Sequence, residues 1–183
     1  MANKVLYGLK NVHYALYTES TGDYGAVKAW PGAVSISLSA EGESNTFYAD
    51  DMPYFVTVSN AGYSGDFESA KIPADFRTAI MGETKDTTTG IIIEDAAEAP
   101  KPFALMFEFE GDETAARYCL YNCKITRPNI ESSTTEEGTE VQTVTATITA
   151  IPQPDTGYVK AFCEDSSASA YDDWYTTVPE IGA

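Results

Sequence analysis

The sequence predicts a mainly β protein, an antiparallel sandwich or partial barrel flanked by one short helix. Apolar and polar residues alternate with period two in segment after segment, and strand-forming aromatics are plentiful, with 12 Tyr and 8 Phe. Only one segment shows helical spacing together with start and stop signals. A chain of 183 residues, 43% of them hydrophobic, fits a single domain with a real core.

The strands follow in order. "VHYALYT" (12–18) alternates, and in "AVSISLSA" (33–40) Val34, Ile36 and Leu38 face one way while Ser35, Ser37 and Ser39 face the other. "YFVTVSN" (54–60) repeats the pattern with Thr57 on its polar side. In "PFALMFEFEG" (102–111) Phe103, Leu105, Phe107 and Phe109 share a face, which leaves Glu108 and Glu110 on the other. "ARYCLYNCKIT" (116–126), "VQTVTATITAI" (141–151) and "YVKAFCED" (158–165) complete the set, the second with Thr143, Thr145, Thr147 and Thr149 in alternation. Pro31-Gly32, Gly111-Asp112, Pro128-Asn129 and the run from Pro152 to Gly157 supply turn chemistry. The alternation predicts that Val34, Ile36, Leu38, Val144 and Ile148 are buried behind these polar rows.

The helix lies in "GYSGDFESAKIPADFRTAIMG" (62–82), which follows the strand 54–60 and reads as loop, then helix. Pro73 suits a first helical position, Asp75 sits in the first turn where the helix dipole favours an anion, and Gly82 supplies the stop. Ile72, Phe76 and Ile80 recur every four residues and form one apolar face. Two or three turns are not stable alone, so that face must dock on the sheet. "EDAAEAPKP" (94–102) and "NIESSTTEEGTE" (129–140) are acidic, aperiodic and read as exposed loops.

The charge excludes several classes of function. A net charge of −17 repels phosphate backbones and anionic membranes, so tight nucleic-acid binding and a peripheral membrane role are disfavoured. The opening residues lack a basic stretch followed by an apolar run, and no later run approaches the roughly 18 apolar residues of a spanning helix. A soluble protein made in the cytoplasm, with no membrane partner, is expected. Three cysteines do not suggest a disulfide framework.

Catalytic constellations are missing where chemistry would need them. The only histidine, His13, alternates within a strand between Val12 and Tyr14, leaving a nucleophile without its usual base. "GYSGD" misses the spacing of a nucleophile elbow. Cys119 and Cys123 lie about 13 Å apart along one strand, beyond disulfide reach, and one His with no C-x-x-C makes a poor zinc site. Neighbouring carboxylates (Asp50-Asp51, Glu136-Glu137, Asp172-Asp173) are what so acidic a chain contains by chance. "DTTTG" (86–90) puts threonines where a calcium loop needs acids. No catalytic residue, metal or cofactor is expected.

The order "MANKVLYGLKNVHYA", "GYSGDFESAKIPADFRTAIMG", "PFALMFEFEGDETAARYCLYNCKITRP" and a threonine-rich strand resembles the short-form major tail protein, the tail-tube protein, of long non-contractile-tailed phages of Gram-positive bacteria. The resemblance runs from about Lys4 to Phe162. It implies one tail-tube domain over residues 1–183, with an N-terminal arm (about 1–10) and a C-terminal arm (about 166–183). It further implies hexameric rings stacked into a virion tail tube, with tape-measure and tail-tip or terminator proteins as partners, and DNA passing through without specific binding. Six copies of −17 make −102, and a lumen of that sign would let DNA slide.

Within that frame, "EGESNTFYADDMP" (41–53) is expected to be an inter-ring docking tip, with Phe47 and Tyr48 as anchors beside Glu41, Glu43, Asp50 and Asp51. The polar rows Ser35, Ser37, Ser39, Thr57, Thr143, Thr145, Thr147 and Thr149, with Glu108 and Glu110, are expected to face the lumen; the alternative makes the threonine face the outer wall. A rival from another class is a monomeric β-sandwich binding module, on a virion or cell surface, stacking sugars on Trp30 and Trp174.

Overall fold

The computed structural model describes residues 7–110, 115–132 and 142–180. The chain is mainly β. In order it forms β1 (Tyr7–Thr18), β2 (Asp23–Tyr24), β3 (Lys28–Ala29), β4 (Ala33–Glu41), β5 (Ser44–Ala49), β6 (Met52–Val58), β7 (Gly62–Ser69) and α1 (Ala74–Ala79). There follow β8 (Thr84–Lys85), β9 (Ile92–Ile93), β10 (Phe103–Glu110), β11 (Ala116–Ile125), β12 (Val144–Ala150), β13 (Lys160–Cys163) and α2 (Ser169–Asp172).

One antiparallel sheet organises the molecule, in the order β2-β1-β10-β11-β12-β7-β4, with β3 also on β1 and β13 also on β11. It divides at β11: Arg117 to Leu120 pair with β13, whereas Cys123 to Ile125 pair with β12. Between these halves Asn122 adopts φ 44°, a left-handed conformation that asparagine tolerates better than most residues. The bulge reverses the alternation, so Leu120 and Cys123 both face the inner core. At the far edge β4 curls back into contact with β1, giving a partial barrel.

The inner core fills this curl with Val12, Tyr14, Phe67, Phe103, Leu105, Leu120 and Ile148. α1 closes it. Ile72, Phe76 and Ile80 are all buried, and the Phe76 ring lies 4.3 Å from Trp30, 4.9 Å from Tyr14 and 5.2 Å from Phe103, centroid to centroid. The helix begins after Pro73 and is followed by Gly82 at φ 78°, in keeping with the sequence signals. Removing a ring packed this way typically costs about 3–5 kcal/mol.

A second core lies on the opposite face of β1, β10 and β11. Ala15, Ala104, Met106 and Cys119 are covered by Trp174 and Val178 from the C-terminal segment. This accounts for the unbroken apolar run Phe103 to Phe107: β10 is covered on both faces. The covering segment, which we term the strap, is fastened by Trp174 Nε1 donating to the Tyr118 carbonyl (3.4 Å) and Tyr121 Oη donating to that of Pro179 (2.6 Å). Residues 166–180, which the resemblance marks as a C-terminal arm, lie against the protein's own sheet through Trp174 and Val178 and contain a second short helix that carries no apolar periodicity. Of the expected N-terminal arm, residues 7–10 belong to β1; residues 1–6 lie outside the described residues, as do residues 133–141.

The segment expected as a loop before the helix is a strand. β7 lies between β12 and β4, although Gly, Ser and Asp are poor strand formers. Tertiary contact overrides propensity here, and at Gly65 it requires glycine: an added Cβ would stand 1.9 Å from the Ser37 carbonyl oxygen. Val34, expected inside, is half exposed because a register shift between Ala33 and Ser35 turns it out; Ile36, Leu38 and Val144 are partly buried and Ile148 fully.

Candidate functional site

β4 and β7 pair from Ala33 opposite Ser69 to Glu41 opposite Gly62. The ladder then runs on. Ala61 N donates to Glu41 O and Ser59 N to Glu43 O, both at 2.9 Å, and β5 pairs with β6 from Ser44 opposite Val58 to Ala49 opposite Met52. Residues 33–69 thus form one long ribbon whose outer part, β5–β6, leaves the main sheet as an arm about 20 Å long at ~3.3 Å per residue. Asp50 and Asp51 close it with φ of 53° and 60°. A two-residue loop with both φ positive is the type I′ geometry that matches strand twist, and aspartate is among the few side chains that accept it. At the root, Gly62 has φ 113° and its missing Cβ would lie 1.9 Å from the Ala150 carbonyl oxygen, so the arm leaves the body at a point only glycine fits.

The arm is apolar on both faces. Phe47 and Phe55 are opposite each other on one, while Tyr48, Val56 and Val58 lie on the other. Every residue of β6 is exposed, Tyr54 and Val58 to 76%, and Phe47, Tyr48, Met52, Phe55 and Val56 each to more than half. Soluble surfaces usually scatter such side chains singly, and a lone two-stranded ribbon is marginal in water. The sequence-predicted docking residues Glu41, Glu43, Phe47, Tyr48, Asp50 and Asp51 all fall on this ribbon. Tyr54, Phe55, Val56 and Val58 were not among them, because "YFVTVSN" (54–60) reads as a strand with one buried side; Met52 lay within the expected tip but was not singled out.

A polar face covers the other end of the ribbon. β7 brings Glu68 between Ser35 and Thr145, Asp66 between Ser37 and Thr147, and Ser64 between Ser39 and Thr149. Ser35 Oγ donates to Glu68 Oε2 (2.9 Å), Thr143 Oγ1 to Glu68 Oε1 (2.5 Å) and Thr147 Oγ1 to Asp66 Oδ1 (3.0 Å). The hydrogen bond from Thr143, then that from Ser35, holds the Glu68 carboxyl below the usual glutamate range. Ser64, Asp66 and Glu68 were the missing middle row; their own period-two spacing is the signal that identifies it.

Three residues expected on that face lie elsewhere. Thr57 is on the arm. Glu110 pairs with Lys10 where β1 meets β10. Glu108 is 7% exposed beneath the strap, where its carboxylate accepts from Asn11 Nδ2 (2.6 Å), Tyr175 Oη (3.1 Å) and Arg117 Nε (3.3 Å). The Arg117 guanidinium also lies 3.6 Å above the Tyr171 ring. Burial, then the Glu108 charge, raises the Tyr175 hydroxyl, which stays a donor.

His13 turns Nδ1 to the Asn11 carbonyl (2.8 Å), with its ring 4.5 Å from that of Tyr175. Cys119 and Cys123 are buried free thiols raised by burial. Among the described residues no three His, Cys, Asp or Glu side chains are grouped so as to hold a metal, and no helix is long and apolar enough to cross a membrane. Trp30 and Trp174 are 2% and 3% exposed, so neither presents a face to a sugar. No protein-family model and no curated protein matches the chain.

Proposed function

We propose that this chain is a structural subunit that assembles with copies of itself, six to a ring, the rings stacking into a tube through which phage DNA passes. The observation that carries this reading is the arm: seven large apolar side chains, on both faces of a projecting ribbon, stand in water unless another chain covers them. Free sheet edges support it too. Among the described residues β4 pairs only with β7, and edges of this kind are blunted when subunits join into a closed wall. The Ser–Asp/Glu–Thr face on β4, β7 and β12 suits the lumen, since fixed carboxylates repel phosphate. Location in a virion tail, with tape-measure and terminator proteins as partners, belongs to the same proposal.

Negative-stain microscopy of the purified chain at high concentration tests it. Hollow filaments of uniform width, built of six-fold rings, are expected. A monodisperse monomer at every concentration, with no binding to preformed tubes, would overturn it.

A further inference from the structure

We propose that the arm is received by an aromatic and cationic patch at the split in the sheet of a second copy, where β12 and β13 part beside β11. This rests on the self-assembly reading and names the surface that meets the arm. In the register of β13, Phe162 lies opposite Tyr118 and Lys160 opposite Leu120, on the side of the inner core. An aromatic row runs outward along that side: Phe107 to Tyr118 at 5.5 Å, Phe109 to Tyr118 at 5.3 Å, and Tyr118 to Phe162 at 6.1 Å, centroid to centroid. It ends on Phe162, which is 59% exposed. Beside it the Lys160 ammonium lies 5.0 Å over the Tyr63 ring and, among the described residues, has no carboxylate partner. Among the described residues β13 pairs only with β11, which leaves its outer edge available to an added strand.

The patch and the arm are complementary. The arm offers aromatic side chains with Glu41, Glu43, Asp50 and Asp51 along it, and the patch offers aromatic rings with an unpaired cation, whereas most of a chain of net charge −17 repels an acidic tip. At 150–250 Å² per aromatic side chain, the arm presents several hundred Å², close to the ~800 Å² that one partner contributes to a standard interface. The arm cannot serve its own patch. Tyr63 adjoins Gly62 at the arm's root, about 20 Å from the tip along a straight ladder. Tip-to-root contact between copies is heterologous, and such contacts propagate instead of closing as a pair.

Photo-crosslinking of the full chain tests the assignment, with Phe55 replaced by p-benzoylphenylalanine and the joined peptides identified by mass spectrometry. Irradiated assemblies should link the arm of one copy to Phe107, Phe109, Tyr118 or residues 158–163 of another. Phe162→Ala and Lys160→Glu should each cut the yield at least tenfold with unchanged thermal midpoints, and Asp50→Asn with Asp51→Asn, which keep a side chain the turn accepts while removing the like charge, should restore it in part in the Lys160→Glu background. Links to other surfaces, or undiminished yield in both patch variants, would overturn the patch while leaving self-assembly standing. A wild-type chain that never associates would overturn both.

Discussion

Glu108 joins three parts of the chain that are distant in sequence: Asn11 of β1, Arg117 of β11 and Tyr175 of the strap. Alternation in "FEFE" tells that Phe107 and Glu108 face opposite ways, but not that a segment some sixty residues later covers the glutamate's side. That is why an exposed position was expected and a buried ion pair is found. Removing one member of such a pair strands the other, typically at about 3–5 kcal/mol. Glu108→Ala should therefore lower the unfolding free energy by about 3 kcal/mol in denaturant titrations, and Trp174 fluorescence should report a loosened strap. A loss below 1 kcal/mol would mean that water already satisfies Arg117. Glu68 permits a finer test. Because its folded pKa is depressed by Thr143 and Ser35, its contribution to stability is present above the unfolded pKa and is lost as pH falls through the folded one. Thr143→Val should raise the Glu68 pKa towards the ordinary glutamate value, read from the carboxyl carbon shift by NMR. An unchanged titration would show that the threonine bond is not formed in solution.

At the scale of elements, the strands whose alternation was clean were legible in the sequence: β4, β10, β11 and β12 stand close to where their patterns place them, and α1 announced itself through Pro73, the four-residue apolar repeat and Gly82. β5 and β7 were not legible, for different physical reasons. β5 carries Ser, Asn and Thr before its aromatics, so it reads as a loop tip; β7 holds two glycines and two acids, and is a strand because β4 and β12 flank it. The arm's significance was half legible. Its anchors Phe47 and Tyr48 were visible, but only the ladder shows that β6 is bare on both sides. Deleting residues 44–51 alone would strip β5 and leave β6 with an unpaired apolar edge, inviting aggregation. Replacing residues 44–58 with a short Gly-Asn turn removes the ribbon as a unit. Since the arm's apolar residues are exposed in the protomer, the thermal midpoint should stay within about 2 °C of the parent while filaments vanish from negative stain. Filaments of normal length from this variant would show that the ring contacts lie elsewhere.

At the scale of the whole molecule, the sign of the charge and the place of the polar face bear together on one question: which side of the proposed tube wall the β4–β7–β12 face would occupy. Ser35, Ser37, Ser39, Thr143, Thr145, Thr147 and Thr149 were legible as polar rows, yet their carboxylates were not, because Asp66 and Glu68 lay in the unrecognised strand. Asp66 and Glu68 are therefore the residues to reverse. Neither is buried, so Asp66→Lys with Glu68→Lys should leave the fold intact, at a cost of roughly 0.5–1.5 kcal/mol for each hydrogen bond lost from Thr147, Ser35 and Thr143. The consequence for DNA is far larger, since in a six-fold ring each added cation recurs six times and again in every ring. A contact of ~1 kcal/mol or less, so repeated, becomes strong retention, and because it rests on counterion release it should weaken steeply with salt. Tubes of the double variant assembled in the presence of linear DNA should therefore hold it at low salt and release it at high salt, where wild-type tubes hold none. Nuclease treatment separates the two sides of the wall: DNA bound in the lumen is protected along the tube, and DNA bound outside is digested. Retention with protection is the expected result. Retention without protection would place this face on the outer wall, and an absence of retention at low salt would show that the charge on these strands does not meet the DNA.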